Sequence, residues 1–331
     1  MVETIGTPAL WLGFTGAVVT LLVIDMVMLQ RQPREMSTRE ALGWSAFWVS
    51  LALAFNAYVW LRFGKQKGLE FFTGYLIEES LSVDNLFVFL FLFGYFGVPK
   101  PLQRRVLFWG ILGALVMRGL FIGLGTVLIA RFEWILYLFG ALLVYTGINL
   151  LRGQHEDIEP ERNIGLRLFR KLMPTLSEFQ GSRFVVNVGG VRHATPLLVA
   201  LVTVEFSDVL FAVDSIPAIF AVTTDPFIVY TSNICAILGL RALYFLLAGA
   251  MDKFQYLNIG LGLVLSFIGA KMVLHDVFEI TTAESLVVVG LLLGFAVLAS
   301  LLKPKHEAEG AIEPVEPPKL EPRSGPNEPE P

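Results

Sequence analysis

The chain has 331 residues, of which 55% are hydrophobic and only 16% are charged, and its mean hydropathy is +0.65. Soluble domains carry roughly 25% charged residues, so this composition excludes an ordinary soluble globular protein. The formal net charge of -4 provides no basic surplus for phosphate backbones, and we therefore expect no nucleic acid partner. The single cysteine, Cys235, excludes an internal disulfide and a multi-cysteine zinc site.

Nine apolar stretches predict membrane-spanning helices, because a span needs about 20 predominantly apolar residues. In chain order they cover residues 8–30, 42–62, 71–97, 106–130, 133–151, 195–222, 227–250, 255–274 and 282–302. The first stretch has no positively charged segment before it, which favours a retained helix over a signal peptide. The predicted fold class is therefore an all-α integral membrane protein, with one transmembrane domain over residues 1–302.

The distribution of Lys and Arg predicts the orientation, because cytoplasmic loops of membrane proteins are enriched in these residues. With nine spans, most basic loop residues lie on one side of the membrane, although the loop holding Arg62, Lys65 and Lys67 opposes the trend. We expect the N-terminus outside and the C-terminus in the cytoplasm.

Two segments are predicted to lie outside the membrane. Residues 152–194 contain an amphipathic stretch, 164–172, and two short apolar runs that flank Gly189-Gly190, which is a hairpin signal. We interpret this region as a small cytoplasmic subdomain. The Pro- and Glu-rich tail, 303–331, has too few large apolar residues to form a core and is predicted to be disordered.

The spans contain an internal repeat. Asp84 and Asp208 lie in similar segments 124 positions apart, Arg118 and Arg241 in similar segments 123 apart, and Gly147 and Gly269 follow at 122. The two copies cover about 71–151 and 195–274. Each copy has three spans, an odd number, so the second must enter the membrane from the opposite side. This inverted arrangement is typical of secondary transporters, whose sites lie near the midplane between the copies.

Acidic side chains occur at membrane depth in both copies. Asp84 and Asp208 are each the fourteenth residue of their predicted span, and a charge at a helix centre costs about 2.5–3.5 kcal/mol on insertion scales. These acids are therefore expected to face the protein interior or water. Glu205 and Asp208 share a helix face, whereas Asp214 points about 120° away on a regular helix. Pro217 removes a helical donor for the Val213 carbonyl and predicts a break near Asp214.

Clustered carboxylates, hydroxyls and amides without His or Cys predict a site for a hard divalent cation, with Mg, Ca and Mn all remaining possible. The candidate ligands are Glu78, Asp84, Glu205, Asp208 and Asp214, with neutral support from Asn85, Ser207 and Ser215. Arg118, Arg241 and Lys271 are predicted to compensate the carboxylates when the cation has left, because an uncompensated buried charge costs several kcal/mol. Protonation is the alternative route, and it suggests an exchange of metal for protons.

Two long motifs resemble the TerC integral membrane family, in particular its Alx-like branch. They are GYLIEESLSVDN (74–85) and VEFSDVLFAVDSIPAIF (204–220), supported by TTDPF (223–227) and RALYFLL (241–247). The resemblance extends over about residues 5–302. It implies a bacterial inner membrane protein that exports manganese(II), and by position Glu78, Asp84, Glu205, Asp208 and Asp214 match the acidic residues of the family.

The expected function is thus secondary transport of manganese, with protons as the counter-ion, and no organic cofactor or enzymatic reaction is predicted. No ATP-binding P-loop is present in the sequence. Two alternatives remain at this stage. One is a general calcium or magnesium carrier, and the other is a membrane factor that assists the assembly or metallation of other proteins.

Overall fold

The computed structural model describes residues 4–30, 37–132, 134–152, 164–247, 256–274, 277–278 and 280–302. At some helical positions, including Asp84 and Arg241, only the backbone is described. The tail predicted over 303–331 lies outside the described residues.

The described chain is almost entirely helical. Its elements are α1 (Pro8–Gln30), α2 (Thr38–Phe63), α3 (Lys65–Tyr95), α4 (Lys100–Arg131), α5 (Ile135–Leu151), α6 (Ile164–Leu172), β1 (Val185–Val188), β2 (Val191–Ala194), α7 (Pro196–Phe220), α8 (Pro226–Leu247), α9 (Leu257–Val273) and α10 (Thr282–Leu302).

A helix occupies each of the nine apolar stretches, while the number that cross a membrane stays a prediction. Within the described residues, α2, α4, α7, α8 and α10 are long and apolar enough to span a bilayer. Shorter apolar helices lie at Pro8–Ile24, Ile135–Leu151 and Ile259–Val273. Helix α3 has sufficient length but carries Glu70, Glu78, Glu79 and Asp84, which lower its apolar character.

The helix boundaries follow from local chemistry. Ser37 caps α2 by accepting a hydrogen bond from the Glu40 amide through its side chain. Gly64 separates α2 from α3 with φ = 92°, a left-handed conformation that glycine adopts without steric cost. Pro196 occupies the first turn of α7, where its missing N–H has no helical partner to lose.

Helix α8 lies at the centre of the bundle, packed against α2, α3 and α4. Within the most apolar stretch of α8, 82% of the residues are buried, against 28% in that of α4 and 22% in that of α2. Helix α4 also packs on α7, and α5 pairs closely with α9. The core around α8 therefore brings α3, α4 and α7 together, and these helices carry the predicted acids and Arg118.

The predicted break of the span near Asp214 is wrong. Helix α7 runs from Pro196 to Phe220 with Pro217 inside it. Ser215, Ile216 and Pro217 are all buried, and packing against neighbouring helices keeps the helix continuous where one hydrogen bond is lost.

The predicted hairpin is present, and the amphipathic stretch 164–172 forms helix α6. Strands β1 and β2 pair antiparallel, and Gly189 and Gly190 connect them with φ values of 60° and 84°. Two positive φ values are the requirement of the tight hairpin turn that matches strand twist. Arg105 of α4 fixes this region by donating to the Ser182 hydroxyl at 3.0 Å and covering the Phe184 ring at 5.3 Å.

Candidate functional site

Arg118 occupies the centre of the candidate site. It lies on α4, its side chain is fully buried, and its guanidinium contacts acids from two other helices. Nη1 pairs with Glu78 Oε1 of α3, while Nη2 donates to Asp208 Oδ1 of α7 at 3.1 Å and Nε to Asp208 Oδ2 at 3.5 Å. The planar fork of an arginine suits such two-point contact with a carboxylate.

Two neutral side chains complete the contacts of the guanidinium. Ser215 of α7 and Asn233 of α8 accept from Nη1 at 3.3 Å and 3.2 Å. Arg118 thus connects α3, α4, α7 and α8 through one buried group. We call Glu78, Arg118, Asp208, Ser215 and Asn233 the Arg118 cluster.

Several buried polar atoms around this cluster make no hydrogen bond to any described residue. They are Glu78 Oε2, Ser82 Oγ, Asn85 Nδ2 and Asn233 Nδ2. Each such atom costs roughly 1–3 kcal/mol when it stays unsatisfied, so structures retain few of them without a reason. Two of these atoms belong to the cluster, and Ser82 and Asn85 follow Glu78 on α3, so this part of the bundle has hydrogen-bonding capacity left for a polar ligand.

A small cavity reaches the cluster from one side. Its wall includes Glu205 and Asp208, which lie one turn apart on α7, together with Gly110 and Ala114 of α4 and Phe89 of α3. The prediction that Glu205 and Asp208 share a face is therefore confirmed. A Cβ added to Gly113 would overlap the Glu205 carboxylate, so this glycine leaves room for the acid beside α4.

Other predicted site residues contact partners outside the Arg118 cluster. Asp214 accepts from Thr146 Oγ1 of α5 at 3.0 Å, and Lys271 of α9 donates to Ser285 Oγ of α10 at 2.7 Å. Ser207 donates to the Thr203 carbonyl within α7 at 3.0 Å. Asp214 and Lys271 therefore have contacts away from the Arg118 cluster.

Two predicted residues cannot be placed by side chain. Asp84 and Arg241 belong to α3 and α8, but their side chains lie outside the described residues. Among the described residues no group of three or more His, Cys, Asp or Glu side chains is arranged to hold a metal ion. The five-acid ligand set stays a prediction.

Asn233 is a member of the cluster that the sequence analysis omitted. The signal in the sequence is the run of three polar residues, Thr231-Ser232-Asn233, inside a predicted span. In the structure all three are fully buried. Glu79 was also left out, and its Oε2 is buried without a hydrogen bond to a described residue, close to Tyr75. The family resemblance ranks Glu79 below Glu78, and no sequence motif singles out Asn233.

An apolar bundle with several helices long enough to cross a bilayer defines a multi-pass integral membrane protein, and four of its helices share a buried polar cluster. The model of the integral membrane protein TerC family matches residues 63–308. The chain belongs to that family, as its sequence motifs predicted.

Curated relatives match nearly the whole chain. A Myxococcus xanthus protein called "Uncharacterized membrane protein STKORF319" is 50% identical over 92% of this chain and 95% of its own length. Proteins named "Putative membrane-bound redox modulator Alx" are 50% identical in Salmonella typhi, over 87% of this chain and 92% of the relative, and 47% identical in Escherichia coli (strain K12), over 93% and 99%. No solved structure matches the chain significantly.

Proposed function

We propose that this protein is a secondary transporter that exports divalent manganese from the cytoplasm in exchange for protons. The observation that carries the proposal is the convergence of Glu78 and Asp208, one from each predicted repeat, on the buried Arg118. Sites between two repeats are where such transporters bind their substrates. Carboxylate, hydroxyl and amide oxygens are suitable ligands for a hard dication.

Arg118 gives this site a means of release. The guanidinium and a dication would compete for the same oxygens of Glu78 and Asp208, so the arginine would offset the buried negative charge whenever the metal departs. Removing one partner of a buried ion pair costs about 3–5 kcal/mol, and a transport site that empties in each cycle needs such compensation. Protons taken up by the remaining carboxylates would reduce that charge further.

Helices α5 and α9 support the proposed inverted repeat. A Cβ on Gly269 would lie 2.6 Å from the Gly140 carbonyl oxygen, and one on Gly147 would lie 2.7 Å from the Gly262 carbonyl oxygen. The two helices therefore run antiparallel. The 122-residue offset pairs Gly140 with Gly262 and Gly147 with Gly269, so a two-fold axis would exchange the two contacts.

Purified protein in proteoliposomes tests the proposal directly. We expect Mn²⁺ to move when a proton gradient is applied, and its direction to reverse when the gradient is reversed. Competition by Ca²⁺ and Mg²⁺ separates a manganese carrier from a general divalent carrier. Absence of metal movement with either gradient would contradict transport, and would favour the assembly role or the redox modulation that the relatives' name suggests.

Neutralising Asp208 tests the assigned site in cells. Asp208→Asn should raise cellular manganese several-fold under manganese excess, because the amide loses the charge that binds a dication and pairs with Arg118. The measurement is cellular metal content by mass spectrometry, with membrane level checked by immunoblot.

The matched control is Glu178→Gln, which neutralises an exposed acid in the segment between α6 and β1. It should leave cellular manganese unchanged. Asp84→Asn and Asp214→Asn extend the series, and normal manganese content in all three aspartate variants would contradict the proposed ligand set.

A further inference from the structure

A second buried polar cluster lies at one end of the bundle, away from the Arg118 cluster. Glu70 in the first two turns of α3 and Asp225 immediately before α8 are 7% and 2% exposed. Asp225 belongs to the TTDPF motif, which the candidate site does not use. We call Thr4, Lys67, Glu70, Thr223 and Asp225 the latch.

Asp225 ties the start of the chain to the start of α8. Its Oδ1 accepts from Thr4 Oγ1 at 2.7 Å and from the Phe227 amide at 3.0 Å, and its Oδ2 accepts from the Ile5 amide at 2.9 Å. The bond to Phe227 caps α8. One carboxylate thus holds two separate parts of the chain together.

Glu70 ties α3 to the turn between α7 and α8. Its Oε2 accepts from Lys67 Nζ at 2.9 Å and from Thr223 Oγ1 at 2.7 Å. Lys67 Nζ also lies 3.7 Å from Asp225 Oδ2, so one ammonium lies between carboxylates from two elements. Lys67 and Glu70 lie on α3, the first helix of the first predicted repeat, a few residues before that repeat's predicted start at about residue 71, while Thr223 and Asp225 lie within the second repeat.

The latch and the cavity lie on opposite sides of the Arg118 cluster. Glu70 precedes Glu78 by eight residues on α3, and Asp225 precedes Asn233 by eight on α8, which is about 12 Å along each helix. The cavity is lined instead by Phe89 of α3 and by Ile237 and Leu240 of α8, which follow Glu78 and Asn233 in the chain.

Tight packing fills the space between the latch and the cluster. A Cβ added to Gly74 of α3 would lie 3.0 Å from Ser232 Oγ of α8 and 3.3 Å from Ile219 of α7. Ser232 is fully buried. The described cavity therefore reaches the Arg118 cluster on the side opposite the latch, whereas α3, α7 and α8 are closely packed on the latch side.

We propose that the latch is the gate that closes the transport pathway at this end, and that its contacts across the two repeats must separate in each cycle. This inference rests on the proposed transport function. When the repeats rock against each other, the contacts that cross between them at the closed end are the ones that must break. The latch contacts Lys67–Asp225 and Thr223–Glu70 are of this kind.

Reactivity of introduced thiols tests the gate in the purified, detergent-solubilised full chain. Ser232→Cys reports opening at the latch end, and Ala114→Cys reports the cavity, each in a Cys235→Ser background. A charged, water-soluble thiosulfonate reagent reaches both ends of the protein in a micelle, so the assay assumes no membrane orientation. The rate of labelling is the measurement.

Lys67→Gln should increase labelling at Ser232→Cys about threefold, the effect of losing one partly exposed ion pair, and should decrease labelling at Ala114→Cys. Asp225→Asn, which retains an oxygen for the α8 cap, should act in the same direction. The control, Lys65→Gln, removes an exposed cation two residues away and should change neither rate.

Unchanged labelling at Ser232→Cys in both variants would overturn the gate, and so would a rise at both reporter positions, since that pattern indicates general loosening. Failure of the transport function gives a different pattern. Reciprocal labelling without manganese movement in proteoliposomes would leave the gate in place and contradict manganese as the substrate.

Discussion

Arg118 shows how a charged residue persists in an apolar bundle. It is fully buried, and its two acid partners are 0% and 8% exposed in their side chains. The attraction within such a group compensates for desolvation only while every partner is present. The fold around α4 therefore depends on a charge cluster that has no advantage over apolar packing for stability alone, which favours a functional reason for its presence.

Removing the Arg118 side chain should strongly destabilise the protein. Arg118→Gln should lower the free energy of unfolding by about 3–5 kcal/mol, because Glu78 and Asp208 lose their buried counter-charge. Denaturation by SDS in mixed micelles measures this value.

The control is Arg131→Gln at the exposed end of α4, which should change stability by less than about 1 kcal/mol. Combining Arg118→Gln with Glu78→Gln and Asp208→Asn removes all three charges and should restore part of the loss. A triple variant no more stable than Arg118→Gln would contradict the charge explanation.

Part of the site was predictable from single positions. Helical spacing places Glu205 beside Asp208, as in the structure. Asp214 was predicted to join the same ligand set through a break at Pro217, but α7 is continuous and Asp214 contacts Thr146 of α5. The sequence could not distinguish which cation meets which acid, because Arg118, Arg241 and Lys271 all lie in spans and their partners depend on how the helices cross. Lys271 instead donates to Ser285 of α10, a contact that no sequence motif predicts.

The pairing of α5 and α9 depends on glycines at matching intervals. Gly140 and Gly147 of α5 contact Gly269 and Gly262 of α9 closely enough that their carbonyl oxygens lie within van der Waals distance of the missing side chains. Small residues at helix contacts let backbones approach inside a membrane, where lipid gives apolar side chains no preference for one another.

Adding one methyl group at this contact should separate the helices. Gly269→Ala should lower the free energy of unfolding by about 1–3 kcal/mol, because the Gly140 oxygen and the Val144 nitrogen are backbone atoms that cannot rotate away. Gly123→Ala on α4 is the matched control, since no atom lies within 4 Å of its added Cβ. Its helix should be unaffected or slightly stabilised. Equal effects of the two substitutions would contradict the close contact.

The sequence predicts the positions of the helices and strands better than it predicts whether a helix is interrupted. The apolar runs, the hairpin at Gly189-Gly190 and helix α6 all appear where periodicity and turn chemistry put them. The break expected at Pro217 does not appear, since the local rule on proline describes an isolated helix and takes no account of neighbours that hold α7 together.

For the whole molecule, nine spans with the N-terminus outside predict that the turn between α7 and α8 lies outside and that residues 152–194 lie in the cytoplasm. Thr224→Cys, between α7 and α8, should react with an impermeant thiol reagent added outside intact cells. Gln180→Cys, before β1, should react only after permeabilisation, since basic residues concentrate near it. Both positions are exposed, and Cys235→Ser is the background. Labelling of both from the same side would refute the predicted topology.

Composition and apolar length were sufficient to predict an α-helical membrane protein, and the depth of the acids in their spans selected the candidate site residues. The central position of α8 was not predictable, because hydropathy measures how apolar a segment is and does not tell whether lipid or protein surrounds it. In the most apolar stretches of α8 and α10, 82% and 22% of the residues are buried, and only the packing of the helices shows this difference.

The placement of α8 has a consequence for biogenesis. Thr231, Ser232 and Asn233 are fully buried among neighbouring helices, and Asn233 accepts a hydrogen bond from Arg118 of α4. A nascent α8 leaving the translocation channel alone would expose the Asn233 amide to acyl chains, whereas the Thr231 and Ser232 hydroxyls donate to carbonyls of their own helix. Helices α2, α3 and α4 are synthesised earlier and pack against it in the finished bundle. The order of synthesis thus gives this helix a prepared surface to enter, and a version of the chain that began at α7 would lack it.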